Sequence, residues 1–541
     1  MVDLAAGRRI RRHGPMVAAA GVLAALVGYP LLRLLIVSFD DGLRALVDTV
    51  FTSGVRTATF NSVWTSATAA TLALAVGTGV ALLTERYMVR GAAALRVAMV
   101  GTFIVPPFVS ALSWQATYAP FGLLDDLTGL SVPRLEGPIG VTAVIAVNVA
   151  PLAFLVVAAA LRSSRLGDLE RAARASGATD RATLQAVTLP LIRPAVAAAW
   201  LVGFAAALSS FGVPAVLGTS AGFDTLTTRV YQAIAFSSRA AAFREAVAMA
   251  LLLAIVALVV VFLADRFGSG SMARLASPAT DRPGSPMPVP RGALPATWGY
   301  LVVSFVLPFG GLVLRALTRA VGISPSPGNW TMANFQEALD GRTWEAVGRS
   351  ASLAAVAALV AVAAAGVLVL AERTGGRRWG SAATAMFAVP GTAIALAASL
   401  GYGRWIANTA AIILVAYVAK LLALAHRPLA GSVASIHPDL VRSGRASGAS
   451  PSAVLRTVVA PLLRSAILAG AILVFVFGVH ELTMSSILHG PGNETLAVVI
   501  LDYQQIGDAT VTAALAVMLA VAVGAVAAPL LWLRRSWGAP Q

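Results

Sequence analysis

The chain has 541 residues, of which 58% are hydrophobic and 12% charged, with no cysteine and a formal net charge of +16. A soluble globular domain carries roughly 25% charge, so the composition excludes that class, and the lack of cysteine excludes a disulfide framework or a thiolate metal site. The positive charge comes from 39 arginines and one lysine lying in short loops between apolar runs, which excludes a nucleic-acid-binding face on a soluble domain.

Crossing the hydrocarbon core takes about 20 mostly apolar residues in a helix. Twelve stretches qualify: 16–38, 60–84, 97–118, 139–161, 195–217, 243–265, 297–318, 350–371, 381–403, 409–426, 465–488 and 512–533. Arg8, Arg9, Arg11 and Arg12 ahead of the first run resemble the start of a secretory signal. That run, however, continues through Pro30 to Phe39 without a small-residue cleavage site, so a retained helix is expected. With the N-terminus inside, 27 arginines fall on the cytoplasmic side and 11 outside. Basic residues in short loops stay cytoplasmic, so both termini are expected there.

Between the sixth and seventh runs lie Gly268-Ser269-Gly270-Ser271 and six prolines from Pro278 to Pro295, a linker composition. The expected fold class is an all-α membrane protein of 12 transmembrane helices in two parallel six-helix halves. Those halves are residues 1–266 and 297–541, joined by a cytoplasmic Pro/Gly/Ser-rich linker at 267–296. Six spans per half return the chain to the same side, so the repeat is parallel. Three echoes support it: Thr84-Glu85-Arg86 with Ala371-Glu372-Arg373, Phe103-Ile104-Val105-Pro106 with Phe387-Ala388-Val389-Pro390, and Gly222-Phe223-Asp224-Thr225-Leu226 with Gly492-Asn493-Glu494-Thr495-Leu496.

A fourth echo is cytoplasmic. Glu170-Arg171-Ala172-Ala173-Arg174-Ala175-Ser176-Gly177-Ala178 precedes Val187 and Leu189-Pro190. Arg442-Ser443-Gly444-Arg445-Ala446-Ser447-Gly448-Ala449, 271 positions later, precedes Val458 and Pro461. Gly177 and Gly448 suit a tight turn between two short helices. Ser450-Pro451 and Thr179-Asp180 are helix starts, and Pro190 and Pro461 are expected to end the short helices. Such an elbow, once per half, is a docking element. Lone loop arginines would equally suit anionic lipid headgroups, but lipid attraction needs no repeated spacing.

These segments resemble the cytoplasmic "EAA" signature of binding-protein-dependent ABC importer permeases: Glu-Ala-Ala, three residues, Gly, nine residues, Ile, any residue, Leu-Pro. Ala172-Ala173, Gly177, Val187 and Leu189-Pro190 fit it, and Gly448, Val458, Ala460 and Pro461 fit more loosely. Arg171 and Arg442 stand where the signature has Glu, with Glu170 one position early in the first copy only. The resemblance implies a type I ABC importer permease-like fold in the bacterial cytoplasmic (inner) membrane. The chain would be a transport subunit and no enzyme, driven by a separate ABC ATPase subunit in two copies that holds ATP and Mg. The sole lysine, Lys420, follows no glycine-rich phosphate loop, in keeping with an ATPase on another chain. An extracytoplasmic solute-binding protein would deliver the solute, and no cofactor is expected on this chain. Expected ATPase-coupling residues are Glu170, Arg171, Ala172, Ala173, Gly177, Leu189, Pro190, Arg442, Arg445, Gly448 and Pro461. The fused double permease is most similar to the ferric iron group, with thiamine, polyamine and aminoethylphosphonate importers as alternatives. An ion-coupled secondary transporter is the alternative class, and a partner-clamping scaffold a third.

Ionisable groups within spans are costly and mark function by default. Glu481, in His480-Glu481-Leu482-Thr483, resembles a Glu-Leu of iron-type permeases. It would line or gate the substrate path together with Phe211, His480 and Thr483, or serve only helix packing. His480 and His489 are not spaced as a chelating helical pair, and no metal site is expected. Lys420 lies near the cytoplasmic end of its span, where its stem would snorkel to the headgroups. Asn148, Pro151 and Pro106-Pro107 are expected to kink helices around the path.

Overall fold

The computed structural model describes residues 14–87, 89–132, 135–162, 164–275, 289–323, 326–375 and 379–537. Among these, the regular elements are helices. Those used below are α1 (Gly14–Ser38), α2 (Ser53–Glu85), α3 (Ala92–Gly101), α4 (Pro107–Tyr118), α5 (Pro138–Leu161), α6 (Ser164–Ala175), α7 (Asp180–Leu208), α8 (Gly212–Leu217), α9 (Leu226–Ala235) and α10 (Ala240–Leu275). The series continues with α11 (Ala293–Leu317), α12 (Gly341–Gly375), α13 (Trp379–Ala388), α14 (Gly391–Ile406), α15 (Ala410–Ser435), α16 (Pro438–Ala446), α17 (Ser452–Val479), α18 (Thr483–Leu488), α19 (Leu496–Ile506) and α20 (Ala509–Trp537).

Ten of these are long and apolar enough to cross a membrane, and the bent pair α13–α14 makes up to eleven. The third and ninth expected spans are broken rather than continuous helices. The stretch 97–118 divides into α3 and α4 at Pro106-Pro107, and 381–403 divides into α13 and α14 at Val389-Pro390, with a bend of 110°. Pro106 (φ −56°, ψ 138°) and Pro390 (φ −55°, ψ 141°) have nearly the same conformation, and each is the N-cap of the helix that follows. Proline gives no N–H to the helix before it and is at home where a new one starts. Of the expected linker, 267–275 continue α10 and 276–288 lie outside the described residues.

The chain forms two compact units: residues 47–338 with 503–520, and residues 1–46 with 339–502 and 521–541. In the first, α2, α5 and α7 pack together, α10 lies on α7, and α11 packs on α4. In the second, α12, α15 and α17 pack together and α1 packs on α14. Compact units and sequence halves are thus different divisions, since the leading helix of each half packs on the broken span of the other. Small residues bring the helices close: a Cβ at Gly77 of α2 would lie 2.6 Å from the Phe154 backbone nitrogen of α5. The echo around Leu226 and Leu496 has a structural counterpart. The Leu226 amide donates to Ser62 Oγ at 2.7 Å, and the Leu496 amide to Ser350 Oγ at 2.8 Å.

Four helices contain a single i→i−5 turn, at Ala24–Gly28, Leu184–Thr188, Val302–Val306 and Leu455–Val459. In each, a proline follows two residues later: Pro30, Pro190, Pro308 and Pro461. A proline ring collides with the carbonyl four residues back. Widening the turn by one residue moves that carbonyl aside and lets the helix pass. Pro190 and Pro461 therefore do not end the short helices, as their sequence suggests; the chain runs past them into α7 and α17.

The widened turns of α1 and α11 free a carbonyl that a tyrosine takes. The backbone amide of Tyr29 donates to Ala24 O, and in that register the amide of residue 30 would donate to Ala25 O, but Pro30 has no N–H. The Tyr402 hydroxyl of α14 donates to Ala25 O instead, at 2.6 Å. Pro308 leaves Val303 O free in the same way. Tyr118 of α4 donates to it at 2.5 Å, and Trp114 Nε1 donates to Ser304 O at 3.1 Å.

Candidate functional site

Both polar repeats fold as elbows with the same backbone. After α6, Gly177 takes φ +87°, its amide donating to Arg174 O at 2.9 Å and that of Ala178 to Ala173 O at 3.1 Å. After α16, Gly448 takes φ +81°, with matching bonds from Gly448 to Arg445 O (3.0 Å) and from Ala449 to Gly444 O (3.2 Å). This left-handed helix end favours glycine. The next helix is capped alike in each: Thr179 Oγ1 accepts from the Ala182 amide and Ser450 Oγ from the Ala453 amide, both at 3.2 Å.

The arginines at the signature's Glu positions have equivalent partners. Arg171 pairs with Asp168, and Arg442 with Asp439 at 3.0 Å, each three residues back. The aspartates are 68% and 66% exposed, so each elbow turns an Asp–Arg pair outward. Ala172, Leu189, Arg445, Gly448 and Pro461 are exposed, and Ala173 and Pro190 half-buried.

Glu170 points the other way. Its Oε1 accepts from Arg86 Nε at 2.9 Å and from Thr188 Oγ1 at 2.6 Å, while Arg86 Nη2 donates to Leu161 O at 2.5 Å. Side-chain exposures of 7% for Arg86 and 2% for Glu170 remove this carboxylate from any surface a partner reaches. The cluster ties α6 and the start of α7 to the ends of α2 and α5. Removing one partner of a buried ion pair costs about 3–5 kcal/mol. Beside it, Glu85 receives Arg96 (2.9 Å) and a two-bond fork from Arg162 (2.8 and 2.9 Å), and this hydrogen bonding raises the Arg162 guanidinium pKa above its ordinary value.

In the second elbow, 271 positions on, Val441 and Val459 replace Glu170 and Thr188. Arg373, the counterpart of Arg86, still reaches a helix-end carbonyl, that of Val433. Glu372 accepts from the Gly380 amide at 2.9 Å and pairs with His426 at 3.3 Å. Val441 and Val459 are half-buried, and a Cβ at Gly444 would lie 3.2 Å from Val454 Cγ2. The Glu-Arg echo at 85–86 and 372–373 is the sequence signal for Arg86; nothing local signals Thr188.

The path candidates lie at a second pair of equivalent breaks. α7 gives way to α8 at 209–211, and α17 to α18 at 480–482. Phe211 is buried at the start of α8, its ring 5.1 Å from that of Tyr231. Glu481 caps α18: its carboxylate accepts from the amides of Met484 (2.9 Å) and Ser485 (3.2 Å). Tyr417 OH bonds Ser485 Oγ at 2.6 Å and donates to Glu481 O at 3.3 Å. Thr483 opens α18 against Gly391, and the His480 ring sits 5.5 Å from Phe477. Lys420 does not reach for headgroups. Its Nζ donates to Val389 O at 2.5 Å, at the bend between α13 and α14. Asn148 of α5 accepts from Ser110 Oγ of α4 at 3.1 Å. Among the described residues, no three His, Asp or Glu side chains converge as metal ligands.

A family model described as "Binding-protein-dependent transport system inner membrane component" matches the chain twice, over residues 73–270 and 371–535. The Fe(3+)-transport system permease protein FbpB 2 of Haemophilus influenzae is 26% identical over 89% of this chain and 92% of its own length. A probable ABC transporter permease protein, y4fN of Sinorhizobium fredii, is 25% identical over 90% of each. A putative 2-aminoethylphosphonate transport system permease protein, PhnV of Salmonella typhimurium, is 26% identical over 40% of this chain and 84% of its own. Two family regions in one polypeptide, each carrying an elbow, make this chain a fused, multi-pass inner-membrane permease subunit of an ABC importer, a member of the binding-protein-dependent transport system inner membrane component family and not an enzyme.

Proposed function

We propose that the chain imports a small solute released to it by an extracytoplasmic binding protein, using ATP hydrolysed with Mg on two copies of a separate ATPase subunit. Those subunits dock on the two elbows. The observation that carries this reading is the duplicated outward face: one backbone turn, one cap and one Asp–Arg pair, repeated at a spacing of 271 residues. Arg171, Ala172, Ala173, Gly177, Leu189 and Pro190 form the first contact, and Arg442, Arg445, Gly448 and Pro461 the second. Glu170 supports the first from within. Counting the broken pairs α3–α4 and α13–α14 as one span each gives twelve, in two parallel halves (1–266 and 297–541) with both termini cytoplasmic.

Ferric iron is the proposed solute, supported by the Fe(3+)-transport permease of Haemophilus influenzae, which is matched over 92% of its length. The aminoethylphosphonate relative covers less than half of the chain and supplies the second reading. Phe211, His480, Glu481 and Thr483 are proposed to border the path at the two breaks. The test is uptake into proteoliposomes holding the chain, its ATPase and its binding protein. Radiolabelled ferric iron should accumulate only with internal ATP, with 2-aminoethylphosphonate as the competing substrate. Uptake that persists without ATP on an ion gradient would instead mark a secondary transporter.

A further inference from the structure

The two elbows present the same face outward and are held from within by different means. The first is keyed by charge: Glu170 of α6, Thr188 of α7 and Arg86 after α2 meet at one carboxylate oxygen, and Arg86 continues to the last carbonyl of α5. Four chain segments are fixed relative to one another by three hydrogen bonds out of water. In the second elbow, two half-buried valines occupy the corresponding positions, and an apolar side chain can form none of those hydrogen bonds.

We propose that Glu170, acting through Arg86, is a positioning residue that makes the first elbow a rigid lever on α2, α5 and α7, while the second elbow is a compliant one, so that the two transmit unequal shares of the ATPase's motion to the membrane helices. This rests on the elbows being the ATPase contacts. A push on α6 reaches α2 and α5 through bonds of fixed length and direction. A push on α16 is absorbed by side chains that slide, because dispersion contacts between apolar groups are non-directional. Glu170 itself touches no partner, since it is buried beneath the face that docks.

The test reconstitutes the full chain with its ATPase and binding protein and measures solute moved per ATP hydrolysed, together with ATPase retention on an affinity-tagged chain. Glu170→Gln should lower the transport ratio about tenfold, within the usual range of coupling between sites, with retention unchanged. The matched change Val441→Ala should alter the ratio by less than about twofold. Glu170→Asp with Thr188→Ser should recover most of the ratio, which a merely structural role would not predict if both variants are equally stable. Should Glu170→Gln fail to fold, Thr188→Val keeps both charges, removes one bond to the carboxylate and should give the same loss in smaller measure. A wild-type ratio in Glu170→Gln or Thr188→Val overturns the proposal, as does lost ATPase retention at an unchanged ratio. Absence of ATP-dependent uptake in the wild-type assembly would instead strike the reading of the elbows itself.

Discussion

The tyrosine contacts beside Pro30 and Pro308 are near copies, whereas the ionic anchor beneath the elbows occurs in one half only. Tyr402 to Ala25 O and Tyr118 to Val303 O join equivalent atoms at 2.6 and 2.5 Å; Glu170 and Thr188 have two valines as counterparts. A carbonyl freed by proline inside a bilayer finds no water, so every copy needs a donor. A buried ion pair is under no such constraint, because apolar side chains of similar volume replace it at little or no cost. Duplicated halves therefore keep what the backbone demands and diverge where side chains only bind each other.

The sharpest way to break this comparison is at the anchor. Glu170→Ala should destabilise the chain by about 3–5 kcal/mol, because Arg86 is left buried and unpaired. Val441→Ala should cost about 1 kcal/mol in the same denaturation experiment in detergent micelles. The tyrosines come next: Tyr118→Phe and Tyr402→Phe should each cost about 1–3 kcal/mol, the penalty of a stranded carbonyl. The two should agree within about 0.5 kcal/mol. In a Pro308→Ala background, where residue 308 regains its N–H, the Tyr118→Phe penalty should shrink, and a double-mutant cycle measures by how much. Gly177→Ala and Gly448→Ala should cost about 1 kcal/mol each, since both turns hold φ above +80°. The smallest effects belong to the exposed pairs: Asp168→Asn and Asp439→Asn should change stability by less than about 0.5 kcal/mol, while weakening ATPase retention.

The elbows were legible because their instructions are local: a glycine, a capping Thr or Ser and a proline at fixed spacing determine the turn. Hydrophobic runs likewise located the straight spans. Counting apolar residues, however, runs through four breaks, at Pro106, Pro390, 209–211 and 480–482, of which only Pro106-Pro107 carries a sequence signal for a kink in that count. The same proline argument misplaced the ends at Pro190 and Pro461, because a single widened turn carries the helix past them. Tyr402 and Ala25 are 377 residues apart, and no periodicity announces their bond. For Lys420, rise along a helix gave its depth but not its direction, and the carbonyl at the α13–α14 bend was the nearer acceptor. At the signature's Glu position the arginines were visible in the sequence, whereas their aspartate partners three residues back became meaningful only once both elbows showed them outward.

The most direct test of the elbows as docking sites uses the chain's lack of cysteine. Arg171→Cys and Arg442→Cys, made singly, each place one thiol on an elbow, to be cross-linked to the co-purified ATPase subunit by a short bifunctional reagent. The account predicts a cross-linked ATPase band from both variants and none from the cysteine-free parent. An ATPase that co-purifies fully yet cross-links to neither position would contradict it.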